Sequence, residues 1–293
     1  MSDSAASLRH KIDSARELES VVRTMKAMAA SSIGQYENAT RSLDIYYRTV
    51  QLGLTACLRQ DKPASTPAKT APPGSGTTGA IVFGSDQGLV GKFNEALSEY
   101  AVNTLANLPD NKIIWTVGER IQSRLEDSGL LPEKNFTLPN SINAITPLIG
   151  QILAEMDAQQ LKGGIDMIYL FYNRPQSGAI YTAVHQRLLP LDETWRRELA
   201  GAQWPTKNPP EIINGGEQTL PALIREYLFV SLFRACAESL ASENASRLAA
   251  MQRAEKNIDE LLEDLNQTFH RLRQSSIDSE LFDVVSGFEA MKG

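Results

Sequence analysis

From Ala222 to Met291 the chain has no proline and a single glycine, Gly287. Leu248, Met251, Ala254, Ile258, Leu261, Leu265, Phe269 and Leu272 recur there at steps of three and four, the stripe of a very long amphipathic helix. At a rise of about 1.5 Å per residue, 222–286 would span about 95 Å. A compact domain of this length is only roughly 40 Å across. Such a helix must project, and its apolar stripe needs a partner.

The partner lies at the other terminus. Leu8 to Leu58 contains no proline, and its only glycines are Gly34 and Gly53. Leu8, Ile12, Ala15, Leu18, Val22, Met25, Ala29, Ile33, Tyr36, Leu43, Tyr47, Val50 and Leu54 again step by threes and fours, and Met28 fits the seam as core packing. About seven heptads are sustained, more than a coiled coil needs. The fold class predicted is α/β: a long antiparallel coiled coil of N- and C-terminal helices, with a central Rossmann-like α/β domain. Its parts are an N-terminal helix over 1–60, a Pro/Ala-rich linker over 61–79, the α/β domain and a loop over 80–218, and a C-terminal helix over 219–293.

Strands are expected at 80–83, 112–117, 135–138, 165–172 and 181–189, the last two as an antiparallel edge hairpin. Helices are expected at 92–105, 119–126 and 145–156, with Pro147 in the first turn of the last of these. Residues 190–218 read as loop. The C-terminal helix starts near Thr219–Pro221, with the proline in its first turn. Alternating strands and helices imply a partly parallel sheet.

A net charge of −6 argues against nucleic acid as a partner. No stretch reaches the ~20 apolar residues of a membrane span, and the N-terminus lacks the apolar run of a signal peptide. Cys57 and Cys236 form no CxxC or metal spacing and read as two reduced thiols. His10, His185 and His270 lie far apart, so no metal or catalytic constellation is expected.

The richest local motif is Ser85-Asp86-Gln87-Gly88-Leu89-Val90-Gly91-Lys92-Phe93-Asn94, placed where a phosphate loop would sit. The positions that a phosphate loop requires as glycine and as Ser or Thr hold Asp86 and Phe93 instead. Gly88 and Gly91 therefore read as steric solutions to a tight turn. In Arg271–Leu281 many polar side chains occupy a helix that needs none of them. They form either a solvated face or a hydrogen-bonding set aimed at an enclosing partner.

Three ordered blocks resemble a known family. The first is Ile12, Ser14 and Thr24-Met25-Lys26-Ala27-Met28-Ala29-Ala30-Ser31; the second is Ser85–Gly91 with Asn94. The third comprises Ser242-Glu243, Ala245, Arg247, Met251, Ala254, Asn257, Arg273-Gln274-Ser275-Ser276-Ile277, Glu280-Leu281 and Val284–Gly287. Together they are similar to the γ subunit of F-type ATP synthases, the central rotor shaft. Departures include Ser32, Gln87 and Val90. No match to the family's Tyr-x-Tyr-Glu-Pro-Asp segment occurs in 201–218. The pattern fits a divergent bacterial version.

The resemblance implies a rotor that couples ion-driven turning of the c ring to ATP chemistry in the β subunits. Its partners would be the α and β subunits, ε and the c ring. It would bind no cofactor or metal and carry no catalytic residue. It would sit peripherally on the cytoplasmic face of the cell membrane. Arg273, Gln274, Asp278, Glu280, Met25 and Lys26 would meet β subunits, and Phe288 to Met291 would form the tip in an apolar bearing. The readings from other classes are a coiled-coil adaptor with an α/β head and a nucleotide-binding enzyme using Ser85–Asn94.

Overall fold

The computed structural model describes residues 5–60, 76–108, 111–162, 164–176, 179–191, 193–201, 203–208, 210–212 and 216–291. The elements are α1 (Ala5–Gln60), β1 (Thr78–Phe83), α2 (Phe93–Ala106), β2 (Lys112–Val117), α3 (Glu119–Asp127), β3 (Lys134–Phe136), α4 (Ile142–Leu161), β4 (Met167–Gln176), β5 (Ala179–Leu189), α5 (Glu193–Gly201) and α6 (Gly216–Ala290). Long terminal helices around a mixed central sheet are the fold class that the sequence predicted. Two compact units form: one of residues up to Ala30 and from Arg247, the other of 31–246. Most of the predicted linker, 61–75, lies outside the described residues.

In the 31–246 unit the strand order is β3-β2-β1-β4-β5. β1 pairs parallel with β2 and β4, and β2 pairs parallel with β3. β5 closes one edge antiparallel to β4, as the predicted hairpin requires. The side-chain period of two sorts the strands onto two faces. Ala80, Val82, Ile114 and Phe171 face Leu97, Ala101 and Leu105 of α2 and Ile121 and Leu125 of α3. Ile81, Phe83, Trp115, Val117, Leu170 and Tyr172 face α4 and residues 232–241 of α6. Both faces are covered, which is why the strands read as continuous apolar runs.

Several expectations are corrected. α4 begins at Ile142, three residues early, so Pro147 is the sixth residue of the helix and not in its first turn. α6 begins at Gly216, which likewise puts Pro221 beyond the first turn. Residues 193–201 are helix α5, not loop. Its stabilisation is tertiary: Trp195 packs on Tyr227 at 5.3 Å. Thr55 Oγ1 donates to the Leu199 carbonyl at 3.1 Å, and Arg59 Nε donates to that of Ala200 at 2.8 Å.

Within this unit the long helices run antiparallel. Asp44 meets Arg234 and Tyr46 meets Glu226, so numbering falls on α6 as it rises on α1. In the other unit Lys26 bonds Glu255. The seam of α1 is an alternating four-and-three repeat: Leu8, Ile12, Ala15, Glu19, Val22, Lys26, Ala29, Ile33 and Tyr36, each buried or half-buried. Leu18 and Met28, predicted in the seam, lie off this repeat and are 59% and 66% exposed. On α6 the repeat runs Met251, Glu255, Ile258, Leu262, Leu265, Phe269 and Leu272, so Leu262 takes the place predicted for the exposed Leu261.

Candidate functional site

The Ser85–Asn94 loop is closed by its own hydrogen bonds. Asn94 Oδ1 accepts from the Ser85 N–H at 3.0 Å, and Asn94 Nδ2 donates to Ser85 Oγ at 2.8 Å. Ser85 Oγ donates to the Gln87 carbonyl, and the Ser85 carbonyl accepts from the Arg120 N–H at 2.9 Å. Both side chains are buried. Gly91 has the positive φ expected of it, 59°, but Gly88 does not; the other left-handed residue is Leu89, at 62°. Side-chain space is taken at Gly84, where a Cβ would fall 2.2 Å from Ile121 Cβ, and at Gly118, where it would fall 2.8 Å from the Ser85 backbone.

In parallel α/β sheets, ligands bind outside the strand C-termini where the strand order reverses. Here that place lies between β1 and β4, and α6 fills it. Ser239, Ser242 and Ser246 donate to the carbonyls of Phe83, Asn173 and Val90 at 3.0, 3.0 and 2.6 Å. Asn173 Nδ2 donates to the Phe93 carbonyl at 3.1 Å. Groups that could face a phosphate instead bond to the chain itself. Among the described residues no cluster could hold a metal ion, and no helix is long and apolar enough to cross a membrane.

In the coiled coil, Lys26 and Glu255 replace apolar residues in the seam. Arg23 reaches the same carboxylate at 3.5 Å. The Lys26 hydrogen bond, reinforced by the charges of Lys26 and Arg23, holds the Glu255 carboxyl below its usual range. Met25, the residue before Lys26 in the chain, is half-buried. Lys26 thus has an internal partner, which the sequence did not reveal.

Past Leu272 α6 changes character. From Arg273 to Phe288, and again at Ala290 and Met291, every side chain is exposed. The four-and-three repeat continues as Ser276, Ser279, Asp283 and Ser286, all polar. The apolar residues Ile277, Leu281, Val284, Val285, Phe288 and Met291 move to a face about 150° round the helix from that seam. Phe288 is 62% exposed and Met291 87%. Arg273 and Glu280 border one side of this stripe, and Gln274 and Asp278 the other. Among the described residues none of these four has a hydrogen bond or ion pair. The segment therefore offers an apolar stripe with polar margins, turned away from the face that pairs with α1.

A family model described as ATP synthase matches residues 4–291. The chain is 28% identical to the ATP synthase gamma chain of Anaeromyxobacter sp. (strain Fw109-5), over 97% of its own length and 98% of the relative's. Identity to the ATP synthase gamma chain of Polynucleobacter asymbioticus is 26%, over 98% and 99%. In fold it is similar to a chain of the Euglena gracilis mitochondrial ATP synthase rotor, with 16% identity, TM-score 0.60 and coverage of 93% and 98%. A chain of the Tetrahymena thermophila mitochondrial ATP synthase central stalk/c-ring structure is similar at 19% identity and TM-score 0.56, covering 80% of this chain and 99% of that one. With a family match over nearly its whole length and full-length relatives that are gamma chains, this chain belongs to the ATP synthase family that the model describes.

Proposed function

We infer that the chain is the central-stalk rotor subunit of an ATP synthase, coupling ion-driven rotation of the c ring to ATP synthesis or hydrolysis on the β subunits. One observation carries the reading beyond family membership: the apolar stripe of 277–291 lies on the face opposite the coiled-coil seam. A stripe that turns away from its own partner helix fits an enclosing partner, here the ring of α and β subunits. Phe288 and Met291 form the tip in an apolar bearing. Arg273, Gln274, Asp278 and Glu280 make transient hydrogen bonds with β-subunit loops, each of roughly 1–3 kcal/mol, weak enough to break at every step. Met25 and Lys26 lie near β as well, with Lys26 reaching it only by sharing or leaving Glu255.

The chain itself is non-catalytic: the Ser85–Asn94 loop is closed by internal bonds. It is peripheral, carried on the cytoplasmic face of the membrane by the c ring, with ε against the sheet unit. Arg273→Ala and Gln274→Ala in the assembled complex test the contact assignment. Each is expected to lower coupled turnover about 5–150-fold, from the loss of 1–3 kcal/mol, with assembly unchanged. Wild-type turnover in both would refute the assignment.

A further inference from the structure

α6 is held to the 31–246 unit along two faces. One carries Ser239, Ser242 and Ser246, whose hydroxyls bond carbonyls of β1, β4 and the loop after β1. The other lies about a quarter turn round the helix and carries Arg234 and Glu238. The buried Glu238 carboxylate accepts from Arg234 Nε at 2.7 Å and from Arg174 Nε of β4 at 2.9 Å. Arg234 also reaches Asp44 of α1 at 3.3 Å and stacks over Tyr47 at 6.0 Å. Arg174 donates to the Tyr172 hydroxyl. One cluster therefore ties α1, α6 and the sheet together.

Apolar packing is non-directional and resists separation better than sliding. Hydrogen bonds to fixed backbone oxygens have narrow angular limits. A helix pinned on one face can still roll; pinned on two, it cannot turn about its own axis without breaking a row. Within the 31–246 unit the cluster therefore holds both long helices, α1 and α6, against the sheet.

We propose that Ser239, Ser242, Ser246, Arg234 and Glu238 form the torque joint of the subunit, the contact set through which twist passes between the sheet unit and the two long helices. The proposal rests on the rotor reading above. These are positioning residues: none would meet nucleotide.

The test is the angular variance of a bead on the c ring of an intact, surface-held complex, stalled with ADP, since thermal variance is inversely proportional to torsional stiffness. Ser239→Ala/Ser242→Ala/Ser246→Ala is one variant. Glu238→Gln, which keeps the shape but removes the charge and turns one of the two accepting oxygens into a donor, is a second in case the first fails to assemble. With stiffness taken as proportional to the five bonds that join this part of α6 to other elements, loss of the three serine bonds is expected to raise the variance about 2.5-fold and loss of the Glu238–Arg174 bond about 1.25-fold. Arg124→Ala, which removes the surface pair with Glu95, should leave it unchanged, and Ser242→Thr should retain stiffness. Wild-type variance in both joint variants, in complexes whose rings turn normally with ATP, would overturn the joint while leaving the rotor reading intact. A wild-type complex in which this chain does not turn with the ring would overturn both.

Discussion

Asn94→Ala separates a structural from a nucleotide-binding role for the loop after β1. Asn94 is 4% exposed and bonds Ser85 twice, at 3.0 and 2.8 Å. Ser85 Oγ keeps its bond to the Gln87 carbonyl in the variant, but the buried Ser85 N–H loses its only acceptor. Leaving one buried donor unsatisfied costs about 1–3 kcal/mol, and loss of the second bond, about 0.5–1.5 kcal/mol, brings the expected total to about 1.5–4.5 kcal/mol. For a unit of this size each kcal/mol moves Tm by about 2–4 °C, so a fall of about 3–18 °C is expected. The assay is thermal unfolding of the purified chain by circular dichroism, with and without millimolar ATP or ADP. Nucleotide should not shift the wild-type Tm. An unchanged Tm in the variant, or a nucleotide-dependent rise in wild type that Asn94→Ala abolishes, would refute the reasoning and restore the loop as a binding site.

The seam pair predicts a pH dependence. Glu255 has its carboxyl held below the ordinary value of 4.5 by Lys26, so its stabilising effect is complete above that value and lost as pH falls through the lower folded value. Urea unfolding should show a steeper acid loss in wild type than in Lys26→Met; equal slopes would count against the pair. Leu281→Asp/Phe288→Asp should leave the Tm of the isolated chain within about 2–4 °C, because both sites are exposed surface, yet impair its incorporation with α and β subunits, as scored by gel filtration. Normal incorporation would remove the stripe from the interface. Cys57 and Cys236 are both buried, and burial, with the nearby Glu243 charge, pushes the Cys236 thiol up. Both should resist a thiol reagent in the folded chain and label fully in urea; stoichiometric labelling of the native chain would contradict their burial.

The sheet was legible because strands covered on both faces appear as apolar runs, as in Ala80–Phe83 and Ile165–Tyr172. The long helices were legible from their proline-free stripes. Helix α5 was not, because its nine residues sit among prolines and are held by Thr55, Arg59 and Tyr227, distant in sequence. The spacing of Trp195 and Leu199 was the available signal. Leu18 and Met28 misled because steps of three and four were accepted without requiring strict alternation. Applied past Leu272, that alternation separates Ser276, Ser279, Asp283 and Ser286 from the apolar stripe and so indicates the change of face. The serines at 239, 242 and 246 share a helical face in the sequence, but which carbonyls they meet depends on how the sheet is assembled.

The central claim is tested most directly by co-expressing this chain with the α and β subunits from the same source, then measuring assembly by gel filtration and ATPase activity with and without the chain. The rotor reading predicts a stable complex whose steady turnover depends on this chain. Failure to assemble with either subunit, or turnover indifferent to its presence, would contradict that reading and favour a coiled-coil adaptor.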